Sequence, residues 1–214
     1  MNDNRIWKTS KEIIMDAYER IMKYQSGELL PARTGYPYLD KALLGGFYPQ
    51  HAIAIGARPG VGKSYLAQKI MNNVMNVNIN PQADDYVWLR CEFEMNPEDL
   101  VLRSLSKKMN KDIEDILLRK MDEEEMLEMQ KCLKQENSNR ITYIPIPTTV
   151  DELKDFLWNV YMPANKDKKI VFVSIDHTAL IQGSGDAKRN IDSLMNMCNI
   201  AKRTFPNKIG RAHV

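Results

Sequence analysis

The segment Ala57-Arg58-Pro59-Gly60-Val61-Gly62-Lys63-Ser64 carries the most specific chemistry in this 214-residue chain. Gly60 and Gly62 permit left-handed backbone angles, which turn successive N–H groups inward around an anion. A lysine and a hydroxyl follow at once, so a full positive charge and a metal-ligating oxygen converge on the same place. That combination suits a nucleotide, with Lys63 near the β- and γ-phosphates of ATP and Ser64 on Mg²⁺. A helix starting at Lys63 adds the positive end of its dipole. One position departs from the pattern GxxxxGK[ST]: Ala57 stands where the first glycine belongs. The bland alternative is a glycine-rich turn with a chance lysine. The apolar run before the loop and the helical periodicity after it favour nucleotide binding.

A phosphate loop needs a carboxylate to hold the water shell of the metal. Asp176 closes the apolar run 170–175, and ligands collect at the carboxyl edge of parallel strands, so Asp176 is the metal-binding candidate. Hydrolysis also needs a group that orients and deprotonates water. Glu94 and Glu92 both lie at the end of the run 86–91, and alternation along an extended segment sends them the same way. Spacing leaves these two even.

The elements that must carry these groups follow from periodicity. Residues 9–26 have capping-box spacing, Thr9-Ser10-Lys11-Glu12, and then apolar residues at helical intervals. Such a helix packs either on its own core or on a neighbouring subunit. Runs 51–56, 86–91, 141–144 and 170–175 read as strands. Helices are expected over 63–77, from Asn96-Pro97 onward, over two stretches of 110–136, over 150–161 and over 190–204. The acidic cluster 122–125 suits a solvated helix start. Nearly all-apolar strands alternating with helices predict an α/β fold, a mostly parallel sheet covered on both faces.

Composition sets outer bounds. Hydrophobic residues make up 43% and charged residues 27%, too apolar for a disordered chain. Thirty Lys and Arg against 28 Asp and Glu exclude a histone-like polycation, but a local cluster can still meet nucleic acid. Three widely spaced cysteines, Cys91, Cys132 and Cys198, lack zinc-ligand spacing and make a disulfide framework unexpected. No run approaches membrane-spanning length, and the N-terminus lacks a signal-peptide core, so a cytoplasmic setting is expected.

With these residues in place, residues 34–204 resemble the C-terminal, RecA-like motor domain of DnaB-family replicative helicases. Thr34-Gly35-Tyr36-Pro37-Tyr38-Leu39-Asp40 is similar to that family's TGxxxLD motif, and Gly45-Gly46 follows in place. Ala57-Arg58-Pro59 before Gly62-Lys63-Ser64 resembles ARPxxGK[ST], which accounts for the missing glycine. Glu94-Met95-Asn96 with Arg103 resembles the EMS…R segment and favours Glu94 over Glu92. Ile175-Asp176 and Leu180-Ile181-Gln182-Gly183-Ser184-Gly185 resemble the magnesium-binding strand and a DNA-facing loop. Gln50-His51, His177 and Ala179 depart from the family pattern; His177 is expected to pack beside the metal carboxylate.

The resemblance implies ATP and Mg²⁺ as ligands, a homo-hexamer with ATP sites between subunits, and single-stranded DNA in its channel. It also implies primase or a loader as partners. Lys188 and Arg189, beside the glycine-rich loop, are candidates for the DNA backbone, and plain solvated charges are as good a reading. Residues 1–33 read as a linker helix and approach segment, and residues 34–207 as an ATPase core. The family's primase-contacting N-terminal domain, later core strand, sensor residue and arginine finger are expected to be absent. Competing readings are a RecA/RadA-like recombinase, a clock-type ATPase, or a non-hydrolysing module that uses its loop for assembly.

Residues 208–214 are expected to be a non-native tail. Ile209-Gly-Arg-Ala-His-Val214 is what the codons ATC GGA AGA GCA CAC GTC specify, a common sequencing-adapter read-through, and the run lacks a β-branched pattern. Such a tail should lie unpacked beside an exposed sheet edge.

Overall fold

The computed structural model describes residues 7–49, 51–58, 60–136, 140–176, 181–182, 186–205 and 209–213. Five parallel strands form one sheet: β1 (Ala52–Ala54), β2 (Tyr86–Glu92), β3 (Ile141–Ile144), β4 (Ile170–Asp176) and β5 (Ile209–His213). Their spatial order is β1-β5-β4-β2-β3. Nine α-helical segments are described. They are α1 (Ser10–Gln25), α2 (Pro37–Ala42), α3 (Lys63–Val74), α4 (Pro97–Met109), α5 (Ile113–Leu118), α6 (Glu123–Glu136), α7 (Val150–Phe156), α8 (Met162–Ala164) and α9 (Ala187–Thr204).

β2 and β4 form the centre of the sheet, in register from Tyr86 opposite Ile170 to Glu92 opposite Asp176. Alternation sends their side chains to two faces. On one face Val87, Leu89, Cys91, Val171, Val173 and Ile175 meet Leu153 and Leu157 and the inner side of α9. On the other, Tyr86, Trp88, Ile170 and Phe172 meet Ile70, Met71 and Val74 of α3. Full burial of such side chains is worth roughly 1.5–3 kcal/mol each, so the two clusters fix both helical layers. A satellite cluster of Leu105, Met109 and Cys132 joins α4 to α6.

Side-chain caps open three of the helices. The Thr9 hydroxyl accepts from Glu12 N at 3.3 Å while Glu12 Oε2 accepts from Thr9 N at 2.7 Å. The same box, Thr149 with Glu152, opens α7. That helix runs on past Tyr161 through a π turn at Leu157–Tyr161 into α8. Asp186 accepts from Arg189 N and starts α9 at Ala187, ahead of the expected Asn190. α1 has no buried residue and reaches the core through Tyr24.

Two expectations fail. The run 51–56 yields only a three-residue strand, with Ala52 and Ala54 exposed, and among the described residues β1 pairs with β5 alone. The terminal residues do not lie unpacked: Ile209–His213 form β5, inserted between β1 and β4. The β4 edge expected to lie open is therefore paired. Parallel pairing is made by main-chain groups, so a slot with unpaired N–H and C=O on both sides accepts an extended segment lacking a β-branched run.

Candidate functional site

The phosphate loop lies between β1 and α3. Gly60 and Gly62 hold φ of +80° and +94°, the left-handed region that the motif predicts. Gly62 caps α3, so the first helical residues are Lys63 and Ser64, both half-buried. Ala57, Arg58, Gly60, Val61 and Gly62 are exposed; Pro59 lies outside the described residues.

α3 is held in place by the Thr34–Asp40 segment. Asp40 Oδ1 accepts from both the Thr34 N–H and the Thr34 hydroxyl at 2.7 Å. The Asn73 amide of α3 donates to the Thr34 carbonyl at 2.9 Å. Gly35 sits against that amide with φ +77°, where a Cβ would come within 2.5 Å of Asn73 Nδ2. The motif is thus a clamp on the helix whose first turn carries the phosphate loop.

A cavity of about 310 Å³ opens between α3, α4 and the β2–β4 pair. Ser64, Arg90, Glu92, Ser174, Asp176 and Lys107 are among its lining residues. Lys107 bonds the Tyr65 hydroxyl and stands 4.2 Å from that ring's centre, linking α3 to α4. Asp176 is half-buried at the end of β4, and its Oδ1 is buried without a hydrogen-bond partner. A carboxylate that lines the same cavity as Ser64, with one oxygen left unpaired among the described residues, fits a divalent cation bound there.

The two glutamates differ sharply. Glu92 is buried and joined to Arg90, with Arg90 Nε 2.7 Å and Nη2 2.5 Å from Glu92 Oε1. Burial pushes the Glu92 carboxyl up, Arg90 pulls it down, and Asp176 pushes it up again. Glu94, two residues beyond β2, is exposed. Ser64 and Asp176 therefore share the cavity, whereas Lys63 and Glu94 lie outside its lining. Lys188 and Arg189 are exposed in the first turn of α9. His177, Ala179, Leu180 and Gly183-Ser184-Gly185 lie outside the described residues.

Arg90 is the residue that reading from the sequence missed. An arginine inside a strand of otherwise apolar neighbours, with acids two and four positions on, was the available signal.

Comparison with known proteins now decides the family. The profile of the DnaB-like helicase C-terminal domain matches residues 32–203. The chain belongs to that family. The replicative DNA helicase DnaC of Bacillus subtilis (strain 168) is 26% identical over 183 residues, covering 84% of this chain and 38% of the relative. The replicative DNA helicase DnaB of Geobacillus stearothermophilus is 25% identical over 187 residues, 86% of this chain and 39% of the relative. This DnaB-like chain thus spans under two-fifths of the length of these relatives. Among solved structures, one described as an ATPase domain superposes with a TM-score of 0.72 at 18% identity, covering 97% of this chain and 71% of that one. A DnaB-like replicative helicase, described with its interactions with primase, gives 0.67 at 17% identity, covering 97% and 49%. Both share the fold of this DnaB-like domain, a RecA-like α/β fold built on a parallel sheet. Among its described residues, no helix is long and apolar enough to cross a membrane.

Proposed function

We propose that this chain is the ATP-hydrolysing motor of a replicative DNA helicase, coupling nucleotide turnover to movement along single-stranded DNA. The observation that carries the proposal is the shared cavity of Ser64 and Asp176, beside a left-handed glycine loop that opens α3. The backbone N–H groups of residues 60–62 and the Lys63 ammonium bind the phosphates and fix their orientation. Ser64 and Asp176 are the residues that would hold Mg²⁺, which when bound supplies positive charge against the phosphate oxygens. Glu94, free of the buried pairing that occupies Glu92, orients the attacking water and takes its proton.

In this reading the domain works as a homo-hexamer with the exposed apolar side of α1 (Ile13, Ile14, Tyr18, Ile21) against a neighbour. DNA passes near the first turn of α9, where Lys188 and Arg189 meet its phosphates. Primase is a partner by likeness to the helicase solved with it, and the setting is the cytoplasm. Calorimetric titration with Mg-ATP tests the core of the proposal. The chain should bind, and Lys63→Ala should lose most of the affinity while retaining its circular-dichroism spectrum. Equal affinity in the two would refute the site.

A further inference from the structure

β2 buries a charge pair next to the site. Arg90 and Glu92 are 4% and 5% exposed, and the guanidinium lies 4.3 Å from the Trp88 ring centre and 5.3 Å from that of Tyr143. Removing two charges from water is costly, and apolar residues of similar volume often serve stability as well or better. A reason beyond stability is therefore needed, and the position supplies one. Glu92 is the register partner of Asp176 across β2–β4, and both line the cavity that Ser64 also lines. Both Arg90 contacts end on Glu92 Oε1, so the clamp holds the carboxylate by one oxygen. Among the described residues nothing donates to Asp176 Oδ1, which is buried.

We propose that Glu92, clamped by Arg90, is a second carboxylate of the Mg²⁺ water shell, placing the metal of bound Mg-ATP jointly with Asp176. Arg90 is then a positioning residue: it fixes where the Glu92 carboxylate stands and offsets one of two adjacent negative charges. The proposal rests on the nucleotide reading above and assigns the cavity-facing end of β2 to the metal rather than to water activation.

The test measures metal dependence rather than turnover. ATP binding to the full 214-residue chain is titrated by calorimetry over a Mg²⁺ series, and Mn²⁺ binding to the ATP complex is followed by electron paramagnetic resonance. Glu92→Gln should raise the half-saturating metal concentration roughly 10–100-fold, as loss of a partner around a metal site does, without weakening ATP binding in the absence of metal. The double variant Arg90→Leu, Glu92→Leu removes the stranded buried arginine and keeps the test valid where Glu92→Gln fails to fold. A merely structural pair predicts recovery of the wild-type metal requirement in the double variant; the metal role predicts that it stays raised. Recovery, or an unchanged requirement in Glu92→Gln, overturns the proposal while leaving nucleotide binding standing. Failure of the wild-type chain to bind ATP overturns the nucleotide reading itself, and this proposal with it.

Discussion

Replacing Asn80 by alanine tests how the phosphate-loop helix is anchored. Asn80 is 4% exposed. Its Oδ1 accepts from the Arg33 N–H at 2.7 Å, and its Nδ2 donates to the carbonyls of Arg33, Val74 and Asn73 at 3.0, 3.1 and 3.2 Å. An amide nitrogen has two hydrogens, so two of those carbonyls share one, and the side chain amounts to three hydrogen bonds. At about 1 kcal/mol net each, their loss costs ~3 kcal/mol, and the unpaired groups left in a buried place hold the figure above ~2 kcal/mol. Domains of this size have roughly 5–15 kcal/mol in total, so the effect is large. With a urea slope of about 2 kcal/mol per M, the unfolding midpoint of Asn80→Ala should fall by about 1–2 M. Asn78→Ala, at an exposed position two residues away, should change stability by less than about 0.5 kcal/mol. A loss below ~1 kcal/mol for Asn80→Ala would refute the reasoning, since water or a neighbouring side chain would then replace every bond.

Glu94→Gln should keep Mg-ATP affinity and lower hydrolysis by ~10²–10⁴-fold, measured as phosphate release; retained hydrolysis would remove Glu94 from the proposed mechanism. Burial pushes the hydroxyls of Tyr86 and Tyr161 up to about 12 each, from the usual 10. The folded state keeps protons that the unfolded chain releases, so stability contributed below pH 10 should be lost as pH rises from 10 to 12, and Tyr161→Phe should flatten that decline in urea melts.

Much of the frame was legible because its signals are local. β3 matches its expected range, β2 and β4 each run one residue longer, and the Thr9–Glu12 cap acts through neighbours in sequence. The left-handed Gly60 and Gly62 and the helix start at Lys63 were legible for the same reason, since glycine φ and the helix start depend on adjacent residues. What failed depends on distant partners. β1 has the apolar composition of a central strand, but exposure is decided by what lies beside it, and only β5 does among the described residues. β5 has no propensity signal, and its pairing is created by the edges of β1 and β4. The Arg90–Glu92 pair needed the β2–β4 register before its proximity to Asp176 could be seen.

That register also explains why the site lies where it does. Along one face of β2 and β4 the residues run Tyr86, Trp88, Arg90, Glu92 and Ile170, Phe172, Ser174, Asp176, changing from apolar to polar at mid-strand. The first half of that face is sealed by α3. The changeover is bridged by Trp88 Nε1, which donates to Ser174 Oγ at 2.7 Å and ends the apolar layer with its polar group satisfied. Beyond it the same alternation carries Arg90, Glu92, Ser174 and Asp176 into the cavity beside Ser64. The opposite face stays apolar through Cys91 and Ile175, where burial pushes the Cys91 thiol up and leaves it inert. One pair of strands therefore serves as core on one side and, from mid-strand onward, as the floor of the proposed nucleotide site on the other. A polar substitution at Leu89 or Val173 is thus expected to act on folding, and an apolar one at Asp176 on the proposed metal and nucleotide site.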